Sequence, residues 1–414
     1  MNASQVGYTK SPRKPGILFF VPEWPALDSS ILHAQVLSVA SFLNREGFSC
    51  QFAGAETSPS RAQEAVTAIT AQYKVRAFVR PVLALNAGAW DNWRSCRRVY
   101  GHIRSEIADA GITYVYARSF IGSMWARRLA RRLKAVSIFD VRGLVGLEKQ
   151  LLMGPSMKSR LLSYLELYEA RRADRLSTVS KNLKQYLSRK IGREDTTVIP
   201  SCFNENSFYF EPAARKEIRN AFGLNENSIL LCYSGGMSVW QRLPDIISLL
   251  KKVCSADHRC KALFLTNNQG ELASLLREAE FPSDQTFIHG CSHKEVHRYL
   301  SAADLGFIMR HDTTVHNVAS PVKVAEYLAC GLPVILTRGI GDYSDMLPDA
   351  GVGVLVDETA DIVDQVLNFI HENNSVSLRN KAIRFARSRL TMSANLDRYR
   401  SLYAVRQATR LRSC

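Results

Sequence analysis

The stretch Ser320-Pro321-Val322-Lys323-Val324-Ala325-Glu326-Tyr327-Leu328-Ala329-Cys330-Gly331-Leu332-Pro333-Val334-Ile335-Leu336 is the most legible part of this 414-residue chain. Ser320 suits an N-cap, and Pro321 suits the first helical position, where a missing N–H costs nothing. Gly331 suits the C-terminal stop, and Pro333 blocks continuation before a Val-Ile-Leu strand. The pattern predicts a helix of about ten residues that runs straight into a strand. First-turn amides favour an anion, and Lys323 sets a cation where the helix dipole alone disfavours one, so an anionic ligand is expected beside it. Glu326 follows one turn later, among Val, Ala, Tyr and Leu. An acceptor-only carboxylate there can hold the two hydroxyls of a ribose. Equally, Lys323 and Glu326 can form a surface pair worth a few tenths of a kcal/mol.

On both sides of this stretch, short apolar runs alternate with amphipathic segments, the pattern of parallel sheets with crossover helices. In the first half, strands are predicted at Ile17–Val21, Cys50–Ala53, Ala77–Pro81, Tyr114–Tyr116, Ala135–Asp140 and Leu176–Val179, with helices such as Ile31–Glu46 and Ser123–Leu133 between them. The second half restarts the pattern at Ile229–Tyr233, Ala262–Thr266, Thr286–His289, Leu305–Ile308, Val334–Leu336 and Gly353–Val356. Two doubly wound α/β domains follow, residues 1–200 and 201–391, with a hinge at Ile199-Pro200-Ser201-Cys202-Phe203-Asn204. A last helical pattern, Met392–Arg410, is expected to pack back on the first domain as part of it, so that 392–414 joins 1–200.

The helix beginning at Ser320 resembles the donor-binding helix of the family-4 glycosyltransferases of GT-B fold. Their recurring pattern is a small polar residue and proline, a lysine, then Glu-Tyr-Leu-Ala-x-Gly-x-Pro-Val. The resemblance continues, in order and spacing, through Tyr116-Ala117-Arg118-Ser119, Asp140-Val141-Arg142-Gly143, Ser177-Thr178-Val179-Ser180, Val198-Ile199-Pro200, Ala302-Ala303-Asp304-Leu305-Gly306 and the Tyr399–Tyr403 segment. It implies two Rossmann-like domains facing across a cleft. It also implies that Glu326 binds the donor ribose, that the Ser320–Lys323 turn, including Pro321, sits near the diphosphate, and that Ser234-Gly235-Gly236 offers backbone amides to the phosphates. The loop His289-Gly290-Cys291 would lie against the base. Two departures concern the donor. The family's first glutamate, eight residues before the second, is here Val318, and the usual arginine and lysine after the glycine loop align with Gly236 and Gln241. Arg242, Arg310 and Lys323 are the nearby cations that could substitute, with Arg142 from the first domain. Loss of activity with the fold retained is the alternative.

On the acceptor side, Glu23 and Ser29 lie in the loop after the first strand, and Arg118, Ser119, Asp140 and Arg142 follow later strands, so all are expected at the mouth where an acceptor enters. Arg142 can equally be a structural partner of Asp140. His293 and His297, four apart, invite a metal reading. Ser292 and Glu295 read instead as a capping box, and with no third ligand no metal is expected. Cys254 and Cys260, with His258 between them, likewise lack a second ligand pair. No Walker loop, Gly-x-Gly-x-x-Gly turn or Gly-x-Ser-x-Gly elbow is present, which sets aside ATPase, dehydrogenase and hydrolase chemistry.

At 46% hydrophobic and 22% charged residues the composition is that of a globular protein, and nothing approaches the roughly 18–20 apolar residues of a membrane span. The N-terminal run is too short for a signal peptide, and nine cysteines without paired spacing fit a reducing cytosol. The net charge of +16 points to anionic surroundings. Much of it lies where Arg94, Arg97, Arg98, Arg104, Arg118, Arg127, Arg128, Arg131, Arg132 and Lys134 are interleaved with Trp90, Trp93, Tyr100 and Trp125. That mixture suits a lipid headgroup layer, or a set of solvated helix faces with snorkelling arginines.

Together these readings predict a retaining, metal-independent hexosyltransferase that uses a nucleotide-sugar as substrate, UDP- or GDP-linked, and needs no cofactor. A lipid-linked or polysaccharide acceptor at the inner face of the membrane is expected, and nucleic acid is not. The alternatives are a nucleotide-sugar epimerase on the same fold, or an inactive basic scaffold for membrane or nucleic acid.

Overall fold

A computed structural model describes residues 14–85, 88–107, 111–292, 294–357, 361–373 and 376–404. Among the described residues, thirteen strands form two parallel sheets. The first orders β3-β2-β1-β4-β5-β6-β7 and the second β10-β9-β8-β11-β12-β13. The strands are β1 (Gly16–Pro25), β2 (Ser49–Glu56), β3 (Arg76–Pro81), β4 (Ile112–Ala117), β5 (Val136–Val141), β6 (Arg175–Thr178) and β7 (Thr196–Val198), then β8 (Ile229–Ser234), β9 (Cys260–Leu265), β10 (Thr286–His289), β11 (Leu305–Ile308), β12 (Val334–Leu336) and β13 (Gly353–Leu355). Every strand predicted from the sequence is present. β7 was not foreseen, because only three residues separate a polar run from Ile199-Pro200.

The apolar runs become strands because helices bury them on both faces: Ile17 through Val21 are at most 1% exposed, as are Leu230 and Leu231. Each sheet reverses strand order once, between β1 and β4 and between β8 and β11. These switch points open a crevice at the carboxyl ends of the strands, where ligands of such sheets bind. By its contacts the chain forms two compact units. One holds the described residues of Met1–Val141, Tyr168–Leu176 and Leu402–Cys414, the other Arg142–Leu167 and Ser177–Ser401.

The chain end returns to the first of these units. Tyr403 packs edge-on against Tyr114 (5.4 Å) and Phe48 (5.6 Å), and the Arg175 guanidinium donates to the Leu402 and Ala404 carbonyls. The C-terminal helix itself is shorter than its pattern, Leu396–Leu402 after a 3₁₀ turn at Ser393–Asn395, and residues 405–414 lie outside the described residues.

A helical hairpin joins β5 to β6, Val145–Met153 followed by Met157–Arg172. Glu166 is buried in it and accepts from the Val145 amide (3.3 Å), which caps the first helix. Burial pushes this carboxyl from its ordinary 4.5 up to about 8, with Glu148 adding to the shift and the amides opposing it. The folded state therefore holds a proton that the unfolded chain releases between those values, so stability falls as pH rises through that window. Glu166→Gln is expected to flatten that fall in urea midpoints measured from pH 5 to about 8.5, a difference on the order of a few kcal/mol.

Candidate functional site

The decisive helix spans Val322–Ala329, eight residues, two fewer than its sequence pattern suggested. Its N-cap is Pro321, not Ser320, and no side chain caps it. The Ser320 hydroxyl is occupied elsewhere: it accepts from the Ser201 amide (3.2 Å) and lies 3.4 Å from the Tyr343 hydroxyl. The other end closes as foreseen. Leu332 donates to the Tyr327 carbonyl (2.9 Å) and Gly331 to Leu328 (3.1 Å), with Gly331 at φ +85°, a Schellman motif that only a residue tolerant of positive φ completes. Pinned there, the helix presents its uncapped N-terminal amides and its positive dipole end to whatever lies beyond Pro321.

Tyr327 ties this helix to the glycine loop after β8. Gly306 in β11 lets the ring approach, since a Cβ there would lie 2.5 Å from it, and the phenol oxygen then accepts from the Ser234 amide (2.7 Å). The Gly235 amide donates to the Leu265 carbonyl (3.0 Å), and Gly235 also makes room for the Tyr233 hydroxyl, which donates to the Gly236 carbonyl (2.7 Å). Of the three amides expected to face phosphate, those of Ser234 and Gly235 are thus engaged within the protein. The Gly236 amide has no protein acceptor among the described residues.

Glu326 is 3% exposed, and its Oε2 lies 2.9 Å from the Lys323 ammonium, which is about one-third exposed. The pair is therefore not a surface pair. That oxygen is itself buried against the ammonium, in a close ion pair that is not a well-aligned hydrogen bond. Arg310 lies two residues past the end of β11. Its Nη1 donates to the Trp240 (2.7 Å) and Met309 (3.1 Å) carbonyls, which leaves Nε and Nη2 without a protein acceptor among the described residues. Burial lowers its proton affinity, with the Tyr233 and Tyr327 phenols opposing. Arg242 sits at φ +50°, pairs with Asp245 (2.7 Å) and donates to the Arg310 carbonyl (3.2 Å), so it braces the loop. Gln241 ends the 3₁₀ turn Val239–Gln241, with its amide carbon 3.8 Å from where a Gly235 Cβ would stand.

At the end of β10, the His289 ring stacks on Tyr299 (4.1 Å), and Gly290 has no room for a Cβ, which would meet the Gln269 amide at 2.4 Å. His297 Nε2 bonds Glu211 (3.1 Å), and His293 lies outside the described residues. Glu295 reaches back to the Ser292 amide (3.2 Å) and hydroxyl (2.6 Å), half of the expected capping box, because the helix starts only at Val296.

In the first sheet, Glu23 and Ser119 meet at the β1/β4 switch point, where the serine hydroxyl donates to the Glu23 carboxylate and Gly122 leaves the space. Burial raises the Glu23 carboxyl, opposed chiefly by that bond. Arg118 beside them donates to Gln35 (2.9 Å) and covers the Trp24 ring (5.5 Å). Asp140 accepts from the Tyr116 phenol (2.6 Å). Ser29 is a cap, accepting from the Leu32 amide (3.2 Å). Arg142 lies 3.5 Å from the Ser201 hydroxyl.

Two family models match the chain: Glycosyltransferase Family 4 over residues 33–206 and Glycosyl transferases group 1 over residues 214–389. The chain belongs to the family-4 glycosyltransferases. Its fold is GT-B. Similar solved structures include sucrose-phosphate synthase from Thermosynechococcus elongatus (16% identity, 95% of this chain and 100% of that one, TM-score 0.72) and the Anabaena HepE protein in complex with UDP (13%, 94% and 100%, 0.69). WaaG, a glycosyltransferase involved in lipopolysaccharide biosynthesis, is a third (13%, 92% and 99%, 0.63). At these identities the likeness carries the fold alone. No curated protein matches.

In this glycosyltransferase Val318 is buried, and its carbonyl accepts from Ser180 (2.7 Å), so no carboxylate stands at the position of the first glutamate. Sequence reasoning missed His316, which is buried with Nδ1 bonded to the His311 carbonyl (2.9 Å), Nε2 without a partner among the described residues and its ring edge-on to Trp240 (5.5 Å). Burial lowers its proton affinity. Its place two residues before Val318 was the available signal. A cavity of about 1070 Å³ touches Ala319, Ser320 and Tyr343 but none of Glu326, Lys323 or Arg310.

Proposed function

We propose that this glycosyltransferase moves a hexose-type sugar from a UDP- or GDP-sugar, with retention of configuration and without a metal ion, to a lipid-linked or polysaccharide acceptor at the inner membrane face. The observation that carries the donor half is the buried Glu326 carboxylate one turn from an uncapped helix N-terminus, with Lys323 between them. The helix amides, Lys323 and Arg310 would hold the departing diphosphate, whose developing charge is the main catalytic need, and Glu326 would hold the ribose hydroxyls. Gly236, Gln241 and Arg242 would shape the phosphate loop, and His289 and Gly290 the base side. Arg142 would add positive charge, and Glu23, Ser29, Arg118, Ser119 and Asp140 would serve the acceptor. HepE, solved with UDP and with UDP-glucose, and WaaG, involved in lipopolysaccharide biosynthesis, support this reading by analogy of fold.

No helix among the described residues is long and apolar enough to cross a membrane. The basic helix Ala89–Glu106 carries an exposed Trp90 stacked on Trp93 (5.0 Å), with Arg94 and Arg97 over the two rings, which suits contact with anionic headgroups. Trp125, by contrast, is buried and belongs to the core.

Incubation with labelled UDP-glucose, UDP-N-acetylglucosamine or GDP-mannose, with and without a bacterial lipid extract, tests the assignment. Acceptor-dependent release of nucleoside diphosphate and label in the lipid phase are expected, with the product anomer read by NMR. Conversion of the sugar without acceptor would mark an epimerase instead.

A further inference from the structure

The hairpin Val145–Met153 and Met157–Arg172 turns an apolar surface outward. Leu151, Leu152, Met153, Met157, Leu161 and Tyr164 are all exposed, Met153 by 83%, Met157 by 79% and Tyr164 by 63%. Six exposed large apolar side chains fall within fourteen residues around the turn of the hairpin, a density unlike singly scattered surface residues, which call for no explanation. Met157, Leu161 and Tyr164 recur at helical spacing, so they share one stripe of the second helix.

The tip is built, not frayed. Gly154 takes φ +80° to end the first helix. Ser156 and Ser159 then cap the second reciprocally: the Ser159 amide donates to the Ser156 hydroxyl (3.1 Å), and the Ser156 amide to the Ser159 hydroxyl (3.0 Å). At the base the two helices touch through Gly146, where a Cβ would stand 2.1 Å from the Ser163 hydroxyl.

The charges beside the stripe have one sign. Lys158, Arg160, Arg171 and Arg172 are exposed, whereas the two acidic residues of the same helix, Glu166 and Glu169, are buried. An apolar tip with a cationic flank and no exposed acid complements an anionic lipid surface: the tip enters the headgroup and acyl boundary, and the cations meet the phosphates. We propose that this hairpin is a lipid-docking element of the enzyme, with an anionic bilayer as its occupant. The proposal deepens the membrane-face part of the proposed function, and its test is independent of the donor site.

The full chain would be sedimented with vesicles of phosphatidylcholine alone or with about 30% phosphatidylglycerol, alongside Leu152→Glu/Met153→Glu, Lys158→Glu/Arg160→Glu and, in the Ala89–Glu106 helix, Arg94→Glu/Arg97→Glu. Thermal midpoints and titrations of UDP, GDP and ADP control for folding and for the donor site. Wild type is expected to bind the anionic vesicles well above the neutral ones, and each hairpin variant to lose roughly tenfold or more of that binding with its midpoint unchanged. The proposal is overturned if wild type ignores anionic vesicles, including the case in which it self-associates through the hairpin, or if the hairpin variants bind like wild type while Arg94→Glu/Arg97→Glu does not. Vesicle binding without binding of UDP, GDP or ADP would sink the donor assignment and leave the docking element standing. Binding of one of these nucleotides with no vesicle binding would do the reverse.

Discussion

Asp304→Ala is expected to cost about 3–5 kcal/mol of stability, enough to leave much of the second sheet unfolded at 37 °C. Asp304 is buried at the start of β11, where its Oδ1 meets Arg215 (2.6 Å) and Arg379 (3.3 Å) and its Oδ2 meets Arg219 (3.0 Å) and the Leu230 amide (2.8 Å). Three guanidinium groups thus converge on one carboxylate. Burial, with repulsion from Arg215 and Arg219, already brings Arg379 down to about 10, and Asp304 is what opposes them. Removing it strands cations that also hold the Ser301, Ala302 and Ala303 carbonyls in place. Asp304→Asn keeps an acceptor for Leu230 but not the charge, so an intermediate loss is expected. Urea midpoints of the two variants check the order. A midpoint for Asp304→Ala within error of wild type would show that the cluster is solvated in solution.

The second large effect concerns Lys323 and Glu326. If the pair served stability alone, removing both members would restore what either single change loses, because no buried charge would be left unpaired. A donor site behaves differently. Glu326→Ala and Lys323→Met should each lower nucleotide affinity by about 10–100-fold, the range of a charge-assisted hydrogen bond of roughly 1.5–3 kcal/mol, and the double variant should not recover it. Titrations of all four proteins, with melting curves alongside, separate the two readings. Recovery of affinity in the double variant would return the pair to a purely structural role.

The sheets were legible because buried parallel strands are near-continuous apolar runs, and Gly331 with Pro333 ended the key helix where the structure ends it. What stayed hidden depends on contacts far apart in sequence. Ser320 looked like a cap, but its hydroxyl is taken by Ser201, 119 residues away. Ser234 looked like a phosphate donor, but its amide is taken by Tyr327, 93 residues away. The motif Ala302-Ala303-Asp304 pointed to the family without revealing that Asp304 gathers three arginines from two other helices. In the Met157–Arg172 helix, an apolar stripe at helical spacing is what a core face also shows, and only the packing tells which way it turns.

The most direct test of the donor site is calorimetric titration of UDP, GDP and ADP into the wild-type protein and into Glu326→Ala. Micromolar binding of one nucleotide to wild type, lost in the variant while the thermal midpoint holds, is the expected result. Binding that survives in Glu326→Ala, or no binding of any nucleotide to wild type, would contradict it.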